Sequence, residues 1–245
     1  MLDGLYSAAT GMAAQQEQLD ALANDMANMS TPGYQATRVG FHDLLYTSGG
    51  PAATGSNVAT GAGAASQIIG RSQTEGDLQT TGQPLDVAII GEGYFEVRRP
   101  DGTIGLTRNG SLQLDAQGQL TTGTGMLLQP PIKVPAGTKP DAVTIDPDGT
   151  VHTGGNKVGK ISLVTVPGPD HLIADGDGVF SATAASGAIG AATGATLHQG
   201  ALEGSNVDVS SVMTGMMDAQ QGYSMASRAI QFEDQMLQIA NQVKR

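Results

Sequence analysis

The two ends of the chain carry apolar residues seven positions apart, and only its middle is rich in helix breakers. All eleven prolines lie between Pro32 and Pro169, and 31 of the 35 glycines lie between Gly33 and Gly204. The heptad a positions are Leu5, Met12, Leu19 and Met26 in the head, and Val209, Met216, Tyr223, Ile230 and Leu237 in the tail. The d positions include Leu22, Val212 and Ala219. This spacing predicts one long helix at each end, paired with the other as in a coiled coil.

The sequence also predicts where these helices begin and end. The first should run from about Asp3 to Met29, because Pro32 and Gly33 stop a helix. The second should begin after Ser205 or Asn206 as its N-cap and reach Val243.

The outward faces of the two predicted helices are unusual for a solitary coiled coil. Residues 1–31 contain no Lys or Arg, and the last forty residues contain only Arg228, Lys244 and Arg245. Glycines recur at heptad spacing, at positions 4, 11, 215 and 222. Each costs a helix about 1 kcal/mol relative to alanine, which indicates a close approach to the backbone. Nine of the ten methionines lie in these ends, and the thioether adapts to several neighbours. We therefore expect helices buried against neighbouring molecules.

The middle of the chain has the pattern of an inserted all-β domain. Turn signals recur about every ten residues. Strands are predicted at 85–90, 94–98, 104–108, 112–114, 119–121, 132–134, 143–145, 160–166, 179–181 and 197–202. Residues 34–46 form either a short helix or an extended segment, and residues 47–66 a flexible loop. The predicted class is α+β, with an axial helical domain made of residues 1–66 and 203–245 around a β domain of residues 67–202.

Composition excludes several classes of function. The net charge of −11 leaves no basic surface for nucleic acid or anionic membranes. Cysteine is absent, which removes disulfides and thiol chemistry. The apolar runs are too short for the ~20 residues that a bilayer span requires, and no cleavable secretory signal is visible.

No residue pattern indicates catalysis, a metal site or a cofactor. The acidic turns at 146–149 and 175–178 are incomplete as calcium loops and are interpreted as hairpin turns. The four histidines are scattered, and no GxSxG elbow occurs. Gly91 and Gly93 form a turn because Glu96 replaces the third glycine of a nucleotide fingerprint. Asp86, inside an apolar strand, should either cap a turn or meet Arg108.

Three segments resemble the signatures of the bacterial flagellar rod and hook proteins. The first is Leu22–Tyr34, the second spans Leu85–Gly118, and the third is Glu203–Asp208 with the helix that follows. The matching positions are Asn24, Asn28, Thr31, Gly33, Tyr34, Asp86, Gly91, Gly93, Arg108, Gly110, Ser205 and Asn206.

The resemblance implies a structural, non-enzymatic axial subunit of the flagellum. Such a subunit polymerises through its terminal helices into a tubular drive shaft in the basal body, which spans the periplasm and cell wall. It is exported unfolded, without a cleaved signal, by the flagellar type III apparatus. Its expected partners are its own copies, other rod and hook proteins and bushing rings. The expected assembly interface comprises the a positions of both helices together with Leu22. The run Phe41–Tyr46 favours the distal rod over the proximal rod or the hook.

Two functions of other classes compete with this interpretation. A cell-wall hydrolase would need paired carboxylates in a cleft, and the sequence offers only acids in turns. An adhesive or carbohydrate-binding β module on a helical stalk would be a stable oligomer whose end helices are already folded.

Overall fold

A computed structural model describes residues 2–44, 46–48, 59–61, 63–135 and 137–243. As predicted, the fold is α+β, with a helix at each end and a β-rich middle. The helices are α1, Leu2–Ala27, and α2, Val209–Val243. Short 3₁₀ turns occur at Pro140–Ala142 and Pro169–His171.

The strands that the structure describes are short. They are β1 Thr37–Asp43, β2 Tyr46–Ser48, β3 Ala59–Gly61, β4 Ala64–Arg71, β5 Leu78–Thr80, β6 Val87–Ile90, β7 Tyr94–Arg98, β8 Ile104–Thr107, β9 Leu112–Leu114, β10 Leu120–Thr122, β11 Leu127–Leu128, β12 Val143–Ile145, β13 Thr150–Thr153, β14 Asn156–Lys160, β15 Leu163–Thr165, β16 Ile173–Gly176, β17 Val179–Ser181, β18 Gly190–Ala191, β19 Thr196–Gln199 and β20 Ala201–Glu203.

The chain folds into two compact units. Unit 1 contains Met1–Ala27, Thr37–Ile69 and Asp208–Arg245, and unit 2 contains Asn28–Ala36 and Gly70–Val207. The helices and the first strands therefore belong to one unit, and the main β structure belongs to the other.

Within unit 1 the two helices pack antiparallel through small residues of α2. A methyl group built at Gly215 would lie 3.2 Å from Leu22 Cδ1, and one at Gly222 would lie 3.0 Å from Gln15 Cδ. Gly4 likewise meets Glu233 at the far end. Because seven residues up α1 correspond to seven residues down α2, the helices run in opposite directions.

The seam between the helices contains the predicted d positions Val212 and Ala219 of α2 but not all of the predicted a positions. On α2 it comprises Val212, Gly215, Ala219 and Gly222, of which Val212 and Ala219 are buried. The predicted a residues Val209 and Tyr223 are instead 38% and 41% exposed. Glycine explains why the seam passes through positions 215 and 222 and not through Val209 and Tyr223. A position without a side chain lets the partner helix approach more closely than Val or Tyr would.

The boundary at the start of α2 differs from the prediction. Asp208, not Ser205 or Asn206, caps α2: its Oδ1 accepts a hydrogen bond from Ser210 N at 3.0 Å, and its carbonyl accepts the bond from Val212 N.

Short strands lie beside α1 in unit 1. The segment after α1 is extended rather than helical: β1 pairs with β4, and β2 pairs with β3. Thr37 N donates a bifurcated hydrogen bond to Oδ1 and Oδ2 of the buried Asp25 carboxylate, at 3.0 and 3.1 Å, which joins α1 to β1. The predicted loop at 47–66 is therefore partly strand, and its residues 49–58 and 62 lie outside the described part of the chain.

The core of unit 2 is a nine-stranded sheet. Its main path is β16-β17-β8-β7-β11-β10-β9, with β15 paired to β7 and β18 paired to β15. The pairings are antiparallel. A three-stranded sheet, β12-β13-β14, and the pairs β19-β6 and β20-β5 complete the unit. One apolar cluster, which includes Val87, Phe95, Leu128, Val151 and Ile161, fills the interior.

Most predicted strands are present, but one is wrong and several were missed. The strands at 94–98, 112–114, 143–145 and 179–181 have the predicted bounds. Residues 132–134 form only an isolated bridge between Lys133 and Gln119. Strands β13, β14 and β16 were missed because their polar and glycine-containing sequences lack a period-two pattern.

Candidate functional site

The predicted assembly residues are only partly covered within the chain. The side chains of Leu5, Met12, Leu19, Leu22 and Met26 on α1 are half-buried. On α2, Met216 and Ile230 are half-buried, Val209 and Tyr223 are exposed, and the side chain of Leu237 lies outside the described part. Packing inside the chain thus leaves much of this apolar surface in contact with solvent.

A second apolar face of α2 was missed by the heptad analysis, and we call it the methionine face. Its side chains are between 55% and 65% exposed. They are Met213, Met217, Met225, Phe232, Met236 and Ile239. Their spacings of three, four, seven and eight residues place them on one side of a helix. The sequence therefore contained a signal for this face, but the heptad assignment used other residues.

The three signature segments meet in unit 2, at a cluster that we call the motif junction. It comprises Gly33, Arg108 and Glu203 with the residues bonded to them. Arg108 Nε donates to Glu203 Oε2 at 2.8 Å, and both side chains are almost completely buried. The backbone of Gly33 donates to the Glu203 carbonyl at 2.9 Å. Arg108 therefore pairs with Glu203, and the predicted alternative of an Asp86–Arg108 contact is wrong.

Gly33 occupies a position that only glycine can fill. Its φ angle is +69°, and a Cβ there would lie 2.7 Å from the backbone of Arg108 and Asn109. Both the left-handed backbone and this close approach exclude side chains. A side chain at Gly110 would collide with the carbonyl oxygen of Val87. These two signature glycines are explained by packing.

Asn206 joins two other chain segments to the motif junction. Its Oδ1 accepts a hydrogen bond from Ala36 N at 2.7 Å, and its Nδ2 donates to the carbonyls of Ser72 and Thr74 at 3.0 and 2.8 Å. Its backbone N donates to the carbonyl of Tyr34. With both ends of its amide occupied in this way, Asn206 crosslinks segments and does not cap α2.

Aromatic rings and arginines fill the space beside these bonds. The Arg71 guanidinium lies 5.5 Å from the Tyr34 ring centre and 5.8 Å from that of Phe180. Arg108 lies 6.0 Å from the Tyr94 ring centre. Burial raises the pKa of the Tyr94 hydroxyl, which donates to Gln73 Oε1 at 3.1 Å. Sequence analysis missed Arg71, which belongs to no local pattern, and it did not single out Glu203 within the third signature segment.

The remaining signature residues stabilise local turns. Asp86 Oδ2 accepts a hydrogen bond from Thr81 Oγ1 at 2.6 Å, which is the turn role predicted for it. The Gly91 carbonyl accepts a long bond from Arg108 Nη2 at 3.4 Å. Gly93 lies against the distant residues Ala192 and Ala195. Within their own segments, Thr31 Oγ1 donates to Asn28 Oδ1 and Ser205 Oγ accepts from Val207 N, while Asn24 is exposed on α1.

The acidic turns act as turns in the described structure. Asp148 accepts hydrogen bonds from the backbone and hydroxyl of Thr150, which lower the pKa of its carboxyl group. The Ser181 hydroxyl and then Arg99 lower the pKa of Asp175. Over the described residues, no group of three or more potential ligands is placed to hold a metal ion. No described helix is both long and apolar enough to cross a membrane.

Three family models match successive parts of the chain. A model of flagella basal body rod proteins matches residues 5–35, one of the flagellar hook protein FlgE/F/G D1 domain matches residues 88–153, and one of the flagellar basal body rod FlgEFG protein C-terminal region matches residues 198–243. These matches contain Gly33, Arg108 and Glu203, the residues that meet at the motif junction.

Curated relatives align with the chain along its whole length. The flagellar basal-body rod protein FlgG of Caulobacter vibrioides is 36% identical over 99% of this chain and 100% of its own. Those of Borreliella burgdorferi and Bacillus subtilis are 35% and 34% identical over the full length of both chains. The chain belongs to the flagellar basal-body rod protein family and is a structural subunit of the flagellar rod.

Proposed function

We propose that the protein acts in the distal rod and polymerises through α1 and α2 into a tubular drive shaft. The observation that carries this proposal is the apolar surface of α2, which remains exposed after the two helices have packed together. Isolated helices gain most of their stability from burial, so this surface would be covered by other subunits. The full-length similarity to FlgG relatives supports the distal position.

The proposed partners are its own copies, adjacent rod and hook proteins, the type III export apparatus and, where the envelope has them, bushing rings. The weakly charged ends suit export in an unfolded state, because they would gain their full burial only on assembly. The shaft would cross the periplasm and transmit torque. No chemical step is required of the subunit in this role.

The proposal predicts that single prolines in the helices abolish assembly. Leu19→Pro or Ile230→Pro removes a hydrogen bond and costs a helix ~3 kcal/mol or more. We expect these variants to be absent from purified basal bodies, while near-ultraviolet circular dichroism of the full chain retains the unit 2 signal. Leu19→Met and Ile230→Leu are matched controls that keep the helices and should be incorporated. Incorporation of the proline variants at the level of these controls would overturn the proposal.

A further inference from the structure

The methionine face is separate from the seam that joins α1 to α2. With about 100° of rotation per residue, Met225 lies roughly 120° around the helix from the buried Ala219. Single exposed apolar residues are common on proteins, but a row of six marks a contact surface. These six side chains remain 55–65% exposed when α1 and α2 have packed together.

One positive charge lies within this face. Arg228 is exposed, is the only Lys or Arg between Val209 and Val243, and lies one turn from both Met225 and Phe232. The side chains of Met217, Gln221 and Arg228 also line a shallow groove of about 440 Å³ along α2. An occupant of the face should therefore be apolar, with a negative charge near its centre.

The outward face of α1 has that character. The exposed residues along the middle of this face are mostly small, and they are Ala9, Ala13, Gln16, Asp20, Ala23 and Ala27. The exposed residues Tyr6, Glu17 and Asn24 lie along one side of this row. Asp20 stands near the centre of this row, where it also accepts a hydrogen bond from Gln16 Nε2 at 3.0 Å. No Lys or Arg occurs among residues 1–31 to oppose a cation.

We propose that the methionine face of α2 binds the outward face of α1 on a second copy of the chain, with Arg228 beside Asp20. The inference rests on the proposed assembly through the helices and deepens it by assigning the two surfaces. Copies related by a rotation about an axis parallel to their helices, combined with a translation along that axis, keep the same orientation, so this contact is antiparallel, as it is within one chain. That register sets Met225 against Ala23, Phe232 against Gln16 and Ile239 against Ala9, each larger apolar side chain opposite a smaller or flexible one.

Such a contact joins two different surfaces, so it leaves a free surface at each end of a growing row. A heterologous contact of this kind extends into a filament unless the rotation closes a ring. Dispersion contacts of methionine and phenylalanine with alanine would supply the attraction, and the ion pair would select the register.

The chain has no cysteine, which makes a crosslinking test direct. Cells would express two differently tagged full-length variants, Ala23→Cys and Met225→Cys, and basal bodies would be purified and oxidised. We expect a disulfide between the two tagged copies. Gln220→Cys paired with Ala23→Cys is the matched control, since Gln220 is exposed but lies roughly 140° around α2 from Met225. Equal yields from both pairs, or no disulfide from Met225→Cys in assembled rods, would overturn the assignment.

A charge exchange tests the same contact without cysteine. Arg228→Glu should reduce incorporation into rods severalfold, and Arg228→Glu combined with Asp20→Arg should restore it. Lys139→Glu, at an exposed site in unit 2, changes the net charge equally and should have no such effect. If the charge variants all assemble normally while Ile230→Pro does not, the surface assignment fails and assembly through the helices stands. If Ile230→Pro also assembles, the proposed function itself fails.

Discussion

At the scale of single residues, the buried pair of Arg108 and Glu203 has the clearest energetic consequence. Removing one partner leaves the other charge buried without compensation, which costs ~3–5 kcal/mol. We predict that Arg108→Met lowers the free energy of unfolding of the full chain by that order, as measured in urea. The double variant Arg108→Met with Glu203→Leu should recover most of the loss, because it removes both charges.

A matched comparison is available on the surface of unit 2. Arg99 and Asp175 form a pair at 2.6 Å whose side chains are 18% and 34% exposed. Exposed pairs contribute ~0–1 kcal/mol, so Arg99→Met should change stability by no more than about that amount. If Arg99→Met lowered the free energy of unfolding as much as Arg108→Met does, burial would not be the reason for the large effect at Arg108.

Residue-level prediction from sequence succeeded where the cause is local. Gly33 was placed at a helix stop, and its positive φ is the property that such a position needs. The true partner of Arg108 could not be inferred, because Glu203 is 95 residues away and several acids were available. The choice of Asn206 as N-cap failed for the same reason, since its amide bonds to residues more than 130 positions distant.

At the scale of elements, the glycines of α2 set the distance between the helices. Gly222→Leu would push against Gln15, and Gly215→Leu against Leu22, so we predict that the double variant separates α1 from α2. The measurement is faster amide hydrogen exchange in both helices of the full chain. Gly11→Leu is the control, because no atom of the described chain lies within 4 Å of a Cβ at that position.

The control, Gly11→Leu, should change amide hydrogen exchange in the opposite direction. Leucine has a higher helix propensity than glycine by roughly 0.5–1 kcal/mol, so Gly11→Leu should slow exchange in α1. If the Gly11 and Gly222 variants behaved alike, the contact at Gly222 would have no role in the pairing.

The helices were predictable because breakers are nearly absent from both ends. Their seam was predictable only in part, since it contains the predicted d positions Val212 and Ala219 but not the a positions Val209 and Tyr223. A heptad pattern identifies apolar stripes, and α2 has more than one, formed by the a positions and by the methionine face. Which apolar stripe of α2 packs against α1 depends on how closely the two helix backbones can approach. The glycines of α2 allow the closest approach on one side of the helix, and that side forms the seam. The strands of unit 2 were predictable where apolar residues are concentrated, as in β7, and not where hydrogen bonding alone defines them, as in β14.

At the scale of the whole molecule, net charge opposes assembly. Each copy carries −11, and like charges at exposed sites repel over about 30 Å at 0.01 M salt but about 8 Å at 0.15 M. We predict that the protein concentration at which purified copies associate falls as salt rises across this range. Light scattering would measure this concentration. If the concentration needed for association instead rose with salt, attraction between oppositely charged groups would outweigh the repulsion from the net charge.

The burial of Arg108 also makes the fold sensitive to whether the chain is complete. Gly33, Arg108 and Glu203 are contributed by the early, central and late parts of the sequence. A polypeptide cut short before position 203 would hold a guanidinium in an apolar interior with no carboxylate to neutralise it. Truncated copies would therefore be less stable than complete ones and would be incorporated into the rod less often. The C-terminal part of the chain, which supplies Glu203, thus determines whether a subunit can assemble.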